Sequence, residues 1–261
     1  MPSRGTRSSA ARFLGDALQV LLVACAAALV LKIAVLDAVY VPSRSMEGTL
    51  LRGDYLLVNK LLYGARVRGS IPLVNASLPM IHLPGLSAPR RGDVVVFELP
   101  AGAFPHGKSE PVTFVKRCVA LAGDEVRIER GNVLVNGDEV APGAMNGAPD
   151  SFGPVRVPKA GDVLALVPAT LSRWERLLRT EGHEASVSDG RVLVDGRPTA
   201  SYTVTRDYLF VLGDNLDHSY DSRMWGFLPE ENIIGNAMLV YWSVDPQSGS
   251  IHWGRVGTRI H

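Results

Sequence analysis

The chain has 261 residues, 46% of them hydrophobic, which is ample for one large β domain or two smaller ones and excludes a disordered polymer. Its 27 Lys and Arg against 26 Asp and Glu leave a formal charge of +1, so no overall field attracts nucleic acid, and DNA or RNA is excluded as the main partner. The two cysteines, Cys25 in an apolar N-terminal run and Cys118 in a later strand pattern, are not expected to meet as a disulfide and say little about the compartment.

Residues 1–16 form a polar tail carrying Arg4, Arg7 and Arg12. From Ala17 to Leu36 the chain reads ALQVLLVACAAALVLKIAVL, with Gln19 and Lys32 as its strong polar interruptions. At helical rise that run spans about 30 Å, one hydrocarbon core, so residues 17–36 read as a single membrane anchor. Lys32 lies near the far end, where its stem can carry the ammonium to the interface. The three arginines favour an N-terminus in the cytoplasm and everything after Tyr40 outside. A cleavable secretory signal is the alternative, since Ala26 to Ala28 offers a small-residue cleavage site, but the apolar run continues past it to Leu36.

After the anchor, short runs rich in Val, Leu and Tyr recur between Gly, Pro, Asn and Asp, and none is long enough to cross again. They are YLLVNK at 55–60, DVVVFEL at 93–99, VTFVKRCVAL at 112–121, EVRI at 125–128, then NVLVNG, DVLALV, RVLVDG, YLFVLGD and AMLVYW. This pattern predicts a mainly β fold, an antiparallel sheet domain behind the N-terminal transmembrane helix. Asn136-Gly137 and Asp195-Gly196 are hairpin-turn signals, and the likeness of GNVLVNG to GRVLVDG suggests two related hairpins. They fall in a smaller inserted subdomain, 129–205, that divides the main domain into 37–128 and 206–261. One helix is expected within it, begun by a capping box of Ser172 and Glu175, with Trp174, Leu177 and Leu178 on one face and Gly182 at its end. Residues 64–90 read as a long loop.

The stretch VYVPSRSMEGTLLRGDYLLVNK places serines directly after the apolar run. A serine hydroxyl becomes a useful nucleophile only when a base takes its proton. Of His82, His106, His183, His218, His252 and His261, His218 alone stands in a distinctive motif. A lysine can serve instead if burial keeps its amine neutral. In VTFVKRCVAL, alternation puts Phe114, Lys116, Cys118 and Ala120 on one face and Val115, Arg117 and Val119 on the other, so Lys116 has apolar neighbours. The same alternation fits a Lys-Arg pair lying across a sheet edge with both charges in water.

The combination of segments is more telling. SRSMEGTL at 43–50, RGDVVVF at 91–97, VKRCVALAGDEV at 115–126 and GDNLDHSYDSRMWGFLP at 213–229, behind one N-terminal anchor, resemble the conserved boxes of the bacterial type I signal peptidases. The resemblance runs from the anchor to about Trp242 and is weakest across 129–205. It implies a Ser/Lys-dyad membrane endopeptidase that removes signal peptides from exported preproteins after Ala-x-Ala sites. Its partners would be preproteins and the lipid bilayer, and no cofactor is implied. By that resemblance Ser45 is the nucleophile, Lys116 its general base, and Ser219 the hydroxyl that orients the amine. Ser43 joins the Ser45 N–H in the oxyanion hole, and Met46 shapes the peptide-binding surface. Asp214, Asp221, Arg223 and Arg117 are polar support. The implied location is the cytoplasmic (inner) membrane, single-pass, with the catalytic domain on the outer or periplasmic side. Two residues depart from the pattern: Gly48 stands where the family usually has proline, which loosens the turn after the nucleophile, and Arg44 stands where many members have a small residue.

Other readings of these stretches fail on their chemistry. GDNLDHSYDSR is rich in oxygen ligands, but from Asp217 it lacks the sixth-position Gly and twelfth-position Glu of a calcium loop, and no metal-spaced His/Cys cluster occurs, so no metal is expected. Both RGD triplets precede strands and read as turns. Two other function classes stay open: another Ser/Lys processing peptidase, of conjugation type or a self-cleaving repressor, the latter disfavoured by the anchor and the missing DNA-binding domain, and a non-catalytic tethered β domain that binds peptides.

Overall fold

The computed structural model describes residues 13–25, 35–64, 85–99, 112–130, 132–140 and 151–261, and the backbone of short strands between 66 and 82. A helix, α1, covers residues 13–25, and its side chains are all exposed, Phe13, Leu18 and Leu22 among them. Among the described residues no helix is long and apolar enough to cross a membrane. The greater part of the anchor's second half, 26–34, lies outside the described residues, and the last anchor position, Leu36, is already strand.

The chain continues through β1 (Leu36–Tyr40), β2 (Asp54–Asn59) and four two-residue strands, β3 (Arg66–Val67), β4 (Ser70–Ile71), β5 (Ala76–Ser77) and β6 (Ile81–His82). These four pair antiparallel, β3 with β6 and β4 with β5, where a long loop was expected. A ribbon this short, rich in Pro, Gly and Ser, has no side-chain alternation from which its backbone pairing could be read. Next come β7 (Val94–Leu99), β8 (Val112–Ala120), β9 (Glu125–Glu129), β10 (Asn132–Val135), β11 (Asp138–Glu139), β12 (Ser151–Arg156) and β13 (Val163–Ala165). Helix α2 (Pro168–Thr180) leads to β14 (Ala185–Ser188), β15 (Arg191–Val194), β16 (Arg197–Pro198) and β17 (Ser201–Thr203). The chain closes with β18 (Tyr208–Leu212), the short helix α3 (Ser222–Trp225), β19 (Leu228–Pro229) and β20 (Ile233–Ser243).

Seven strands form one antiparallel sheet in the order β1-β2-β20-β7-β8-β18-β19. Central β7 explains its VVVF run: Val95 and Phe97 pack on one side with Cys118 and Trp225, Val94 and Val96 on the other with Val41, Met46 and Leu50. A strand covered on both faces reads as a continuous apolar run rather than an alternating one. In β8 the alternation holds from Phe114 to Cys118, which pack in the same cluster, but fails at Ala120. The β18 register shifts between Phe210 and Val211, and past that bulge Ala120 and Val119 both join the neighbouring cluster.

The stretch between β8 and β18 carries its own sheets, β11-β10-β9-β12 and β14-β15-β16, plus the β13-β17 pair. Both hairpin turns have the two left-handed residues of a type I′ turn, Asn136 (φ 54°) with Gly137 (φ 92°) and Asp195 (φ 50°) with Gly196 (φ 76°). Val126, Ile128 and Val133 share a core with Phe210 and Leu212, so this region packs directly on the main sheet. Helix α2 starts a turn earlier than the expected capping box: Pro168 occupies its first turn, where the missing N–H costs nothing, and Ser172 and Glu175 lie inside it. Gly182 follows its last turn at φ 91°, as expected. Glu181, its side chain buried, fastens this end by accepting hydrogen bonds from Tyr202 Oη (2.5 Å), Tyr208 Oη (2.9 Å) and the Thr205 N–H (3.1 Å).

Candidate active site

Three strands separate β1 from β8 in the sheet, roughly 20 Å at ordinary strand spacing. The segment leaving β1 therefore crosses back over the sheet to bring Ser45 to β8, pegged down by Val41, Met46 and Leu50, which sink into the cluster with Val94 and Val96. Met46 is 1% exposed, so it does not form the substrate-contacting surface expected of it. Its role is to seat the turn.

At the end of that turn Ser45 Oγ lies 2.5 Å from Lys116 Nζ and 3.1 Å from Ser43 Oγ. Ser45 and Lys116 are both buried, Lys116 with only 1% of its surface exposed, while Ser43 is exposed. Phe114, whose ring centroid is 5.7 Å from Nζ, supplies part of the apolar wall. Burial pushes the lysine down from its usual value to about 8; Asp221 and Asp214 oppose the shift and Arg223 adds to it. Each carboxylate is matched by its own guanidinium. Arg117 holds Asp214 through Nε (2.8 Å) and a terminal nitrogen (2.7 Å), and Arg223 holds Asp221 through the same fork (2.8 and 2.9 Å). The pairs cancel much of each other's field, which leaves desolvation as the governing effect. The water-exposed Lys-Arg pair is thereby overturned: Lys116 is buried and Arg117 is committed to Asp214.

The loop after β18 closes the site. The Asn215 N–H donates to the Ser45 carbonyl (3.1 Å), and its side-chain amide donates to Glu47 (3.1 Å), which is in turn paired with Arg44 (3.0 Å). Arg44 thus lies along the surface of the turn. Asp221 caps α3 and accepts the Gly213 N–H (3.2 Å). Ser219 is buried beside this cluster, but its Oγ has no hydrogen-bond partner among the described residues, so the expected bond orienting Lys116 is not formed. Asp214 with Arg117 and Asp221 with Arg223 form two ion pairs whose carboxylates act on Lys116. Sequence reasoning missed Asn215 and Gly213, although both lie within the last box quoted. It also missed Asp54 and Arg255, which carried no local signal.

Two further features bear on chemistry. The thiol of Cys118 is pushed up to about 12 by burial, so it offers no thiolate near neutral pH. Pairing of β18 with β8 ends at Leu212 opposite Arg117, and among the described residues no strand pairs with the β18 side of Val112 to Lys116. Among the described residues the β18 ladder thus stops at the residue beside the lysine. Gly213 gives a direct test of how tightly the site is built. A Cβ there would fall 2.3 Å from Ser219 Oγ and 2.3 Å from the Ser45 carbonyl oxygen. Gly213→Ala is expected to fold but lose about 100-fold or more in kcat/KM, since a shift near 1 Å in a reacting group costs that much. Peptide-cleavage kinetics with circular dichroism on the same sample check it, and full activity would show that the loop has slack.

Among the described residues no group of His, Cys, Asp and Glu is arranged to hold a metal. Comparison with known proteins places the chain. The family described as signal peptidase, peptidase S26, matches residues 14–242. Signal peptidase I of Pseudomonas aeruginosa is 34% identical over 247 residues, covering 89% of this chain and 74% of that protein. Signal peptidase I of Aquifex aeolicus is 34% identical over 224 residues, covering 79% and 76% respectively. A solved signal peptidase I from Enterococcus faecalis aligns at 19% identity with a TM-score of 0.27 over 57% of this chain and 95% of its own, a superposition too distant to add weight. This chain belongs to the signal peptidase family, peptidase S26, and is a serine peptidase.

Proposed function

We propose that this protein is a membrane-bound endopeptidase that removes signal peptides from exported preproteins, with Ser45 as nucleophile and Lys116 as general base. The observation that carries the reading is the 2.5 Å contact between the Ser45 hydroxyl and a buried lysine amine. A neutral amine accepts the hydroxyl proton as Ser45 Oγ attacks the scissile carbonyl. The negative charge that develops is met by the Ser45 N–H and the Ser43 hydroxyl, where one preorganised donor contributes roughly 3 kcal/mol to the transition state. The protonated amine then passes its proton to the leaving amine, and after the leaving peptide departs the same lysine activates the water that releases the acyl-enzyme.

Among the described residues no strand continues the β18 ladder along β8 past Arg117, which supports a mode of binding at that edge. An extended peptide can add to it through main-chain hydrogen bonds, with alternate side chains entering pockets. Small pockets on that edge would select Ala-x-Ala. Ser219, buried near Ser45 and without a hydrogen-bond partner for its Oγ among the described residues, fits a role in steadying the lysine once the site is occupied. The main domain is then 37–128 with 206–261, interrupted by 129–205. A single anchor that begins at residue 17 and ends before β1 would set the nucleophile a few residues beyond the bilayer, with the N-terminus inside. The apolar residues that α1 leaves exposed support this placement. Without protease the full-length chain should fractionate with the membrane pellet, and protease added to spheroplasts should degrade its domain. A shorter soluble product, or a domain protected until lysis, would contradict the topology.

Activity should follow the neutral fraction of Lys116. With its value lowered to about 8 by burial, kcat/KM rises as pH climbs through about 8 and levels above it. Asp221→Asn removes a charge that favours the ammonium and should move that limb to lower pH. Burying the lysine also carries a stability cost. Between about 8 and 10.5 the unfolded chain holds a proton that the folded chain does not, so stability increases with pH through that window. Lys116→Met should be inactive yet more stable at pH 7 by about 3 kcal/mol, the gain shrinking as pH rises toward 10.5. Denaturation of both proteins across this range checks it; activity in Lys116→Met would remove the lysine from the mechanism.

A further inference from the structure

Gly48 adopts φ 112°, a conformation that no proline and few other residues can take, at the apex of the turn that presents Ser45. The turn is closed by short-range backbone bonds, Glu47 N–H to the Arg44 carbonyl (3.0 Å) and the Thr49 and Leu50 N–H groups to the Met46 carbonyl (3.1 and 2.7 Å). Such bonds shape the turn but do not fix it against the sheet. Beside the buried Val41, Met46 and Leu50 and the Asn215 bonds, two guanidiniums do so, and both act at Thr49. Arg117, on β8 beside Lys116, donates to Thr49 Oγ1 (2.9 Å), and Arg255 donates to the Thr49 carbonyl (3.0 Å).

Arg255 arrives from a segment that the sequence places 206 residues after Thr49. Its fork is held in place by Asp54, fully buried, through contacts of 2.9, 3.1 and 2.6 Å, and Asp54 also accepts the Leu51 N–H (2.8 Å). The segment itself is laced to β20, with the Val240 N–H donating to Thr258, the Gly257 N–H to Val240 and the Ile260 N–H to Met238 (2.9, 2.8 and 2.9 Å). The glycine turn is therefore not loose: its downstream end is gripped by a rigid fork backed by a buried carboxylate.

We propose that Arg255 is a positioning residue for the reaction, locking the Met46–Leu50 turn at the Thr49 carbonyl so that Ser45 Oγ stays in register with Lys116; the inference rests on the Ser45/Lys116 reading. It touches neither substrate nor reacting atoms. Only a planar fork spans Asp54 and the carbonyl together, so lysine is not a conservative replacement.

The test uses the full-length chain in detergent with a fluorogenic Ala-x-Ala peptide, each variant assayed well below its own melting temperature. Arg255→Ala is expected to lose on the order of 100-fold in kcat with KM little changed. The pH at the midpoint of the ascending limb should not move, because the surroundings of Lys116 are intact, and added guanidinium ion should restore part of kcat in this variant alone. Arg255→Lys should lose at least about tenfold. Should Arg255→Ala fail to fold, Asp54→Asn, which keeps the shape of the carboxylate, should give the same kcat loss. Unchanged kcat in the folded variants, a loss confined to KM, or a loss that merely tracks the folded fraction and ignores guanidinium would overturn the assignment. An inactive wild-type chain would instead count against the proposed function.

Discussion

The structure turns on one costly contact, a lysine amine taken out of water and set 2.5 Å from a serine hydroxyl. A buried ammonium is strongly disfavoured unless it is paired, and here the nearby carboxylates are already paired, Asp214 with Arg117 and Asp221 with Arg223. Desolvation is left to lower the proton affinity of Lys116. The arginines serve two purposes: they satisfy carboxylates that cap and brace the loop after β18, and they keep those charges from holding the amine protonated.

Placing that contact is a problem of chain routing. Ser45 comes from beside β1, at one edge of the main sheet, and Lys116 from β8, with β2, β20 and β7 between them. The turn reaches across by burying Val41, Met46 and Leu50, the loop after β18 fastens it through Asn215, and the segment after β20 fastens it through Arg255. Three parts of the chain remote in sequence thus converge on eight residues, 43–50. The β18 ladder ends at Leu212, opposite Arg117 and beside the lysine.

Much of this was legible in the residues. The antiparallel β character, the two I′ hairpins, and Ser45 with Lys116 all follow from local pattern or from the four boxes. Alternation alone left Lys116 between two readings, because the same period describes a buried amine and a snorkelling one; only the contact with Ser45 and the commitment of Arg117 to Asp214 separate them. Met46 was misread because proximity to a nucleophile does not say which way a side chain points, and apolar character here meant core. The capping box at Ser172 gave way to Pro168, a stronger start one turn earlier. Arg255 and Asp54 could not be found at all, since their partnership is made by the return of the chain along β20 and leaves no periodicity or spacing behind.

We propose that Ser45 and Lys116 together cut preproteins at the signal-peptide boundary. That cleavage is tested most directly by incubating the detergent-solubilised full-length chain with a purified preprotein and measuring the mass of the product. One new N-terminus immediately after an Ala-x-Ala site, formed by the wild type and by neither Ser45→Ala nor Lys116→Ala, is the predicted result. The same product from either variant, or cleavage at scattered positions, would contradict it.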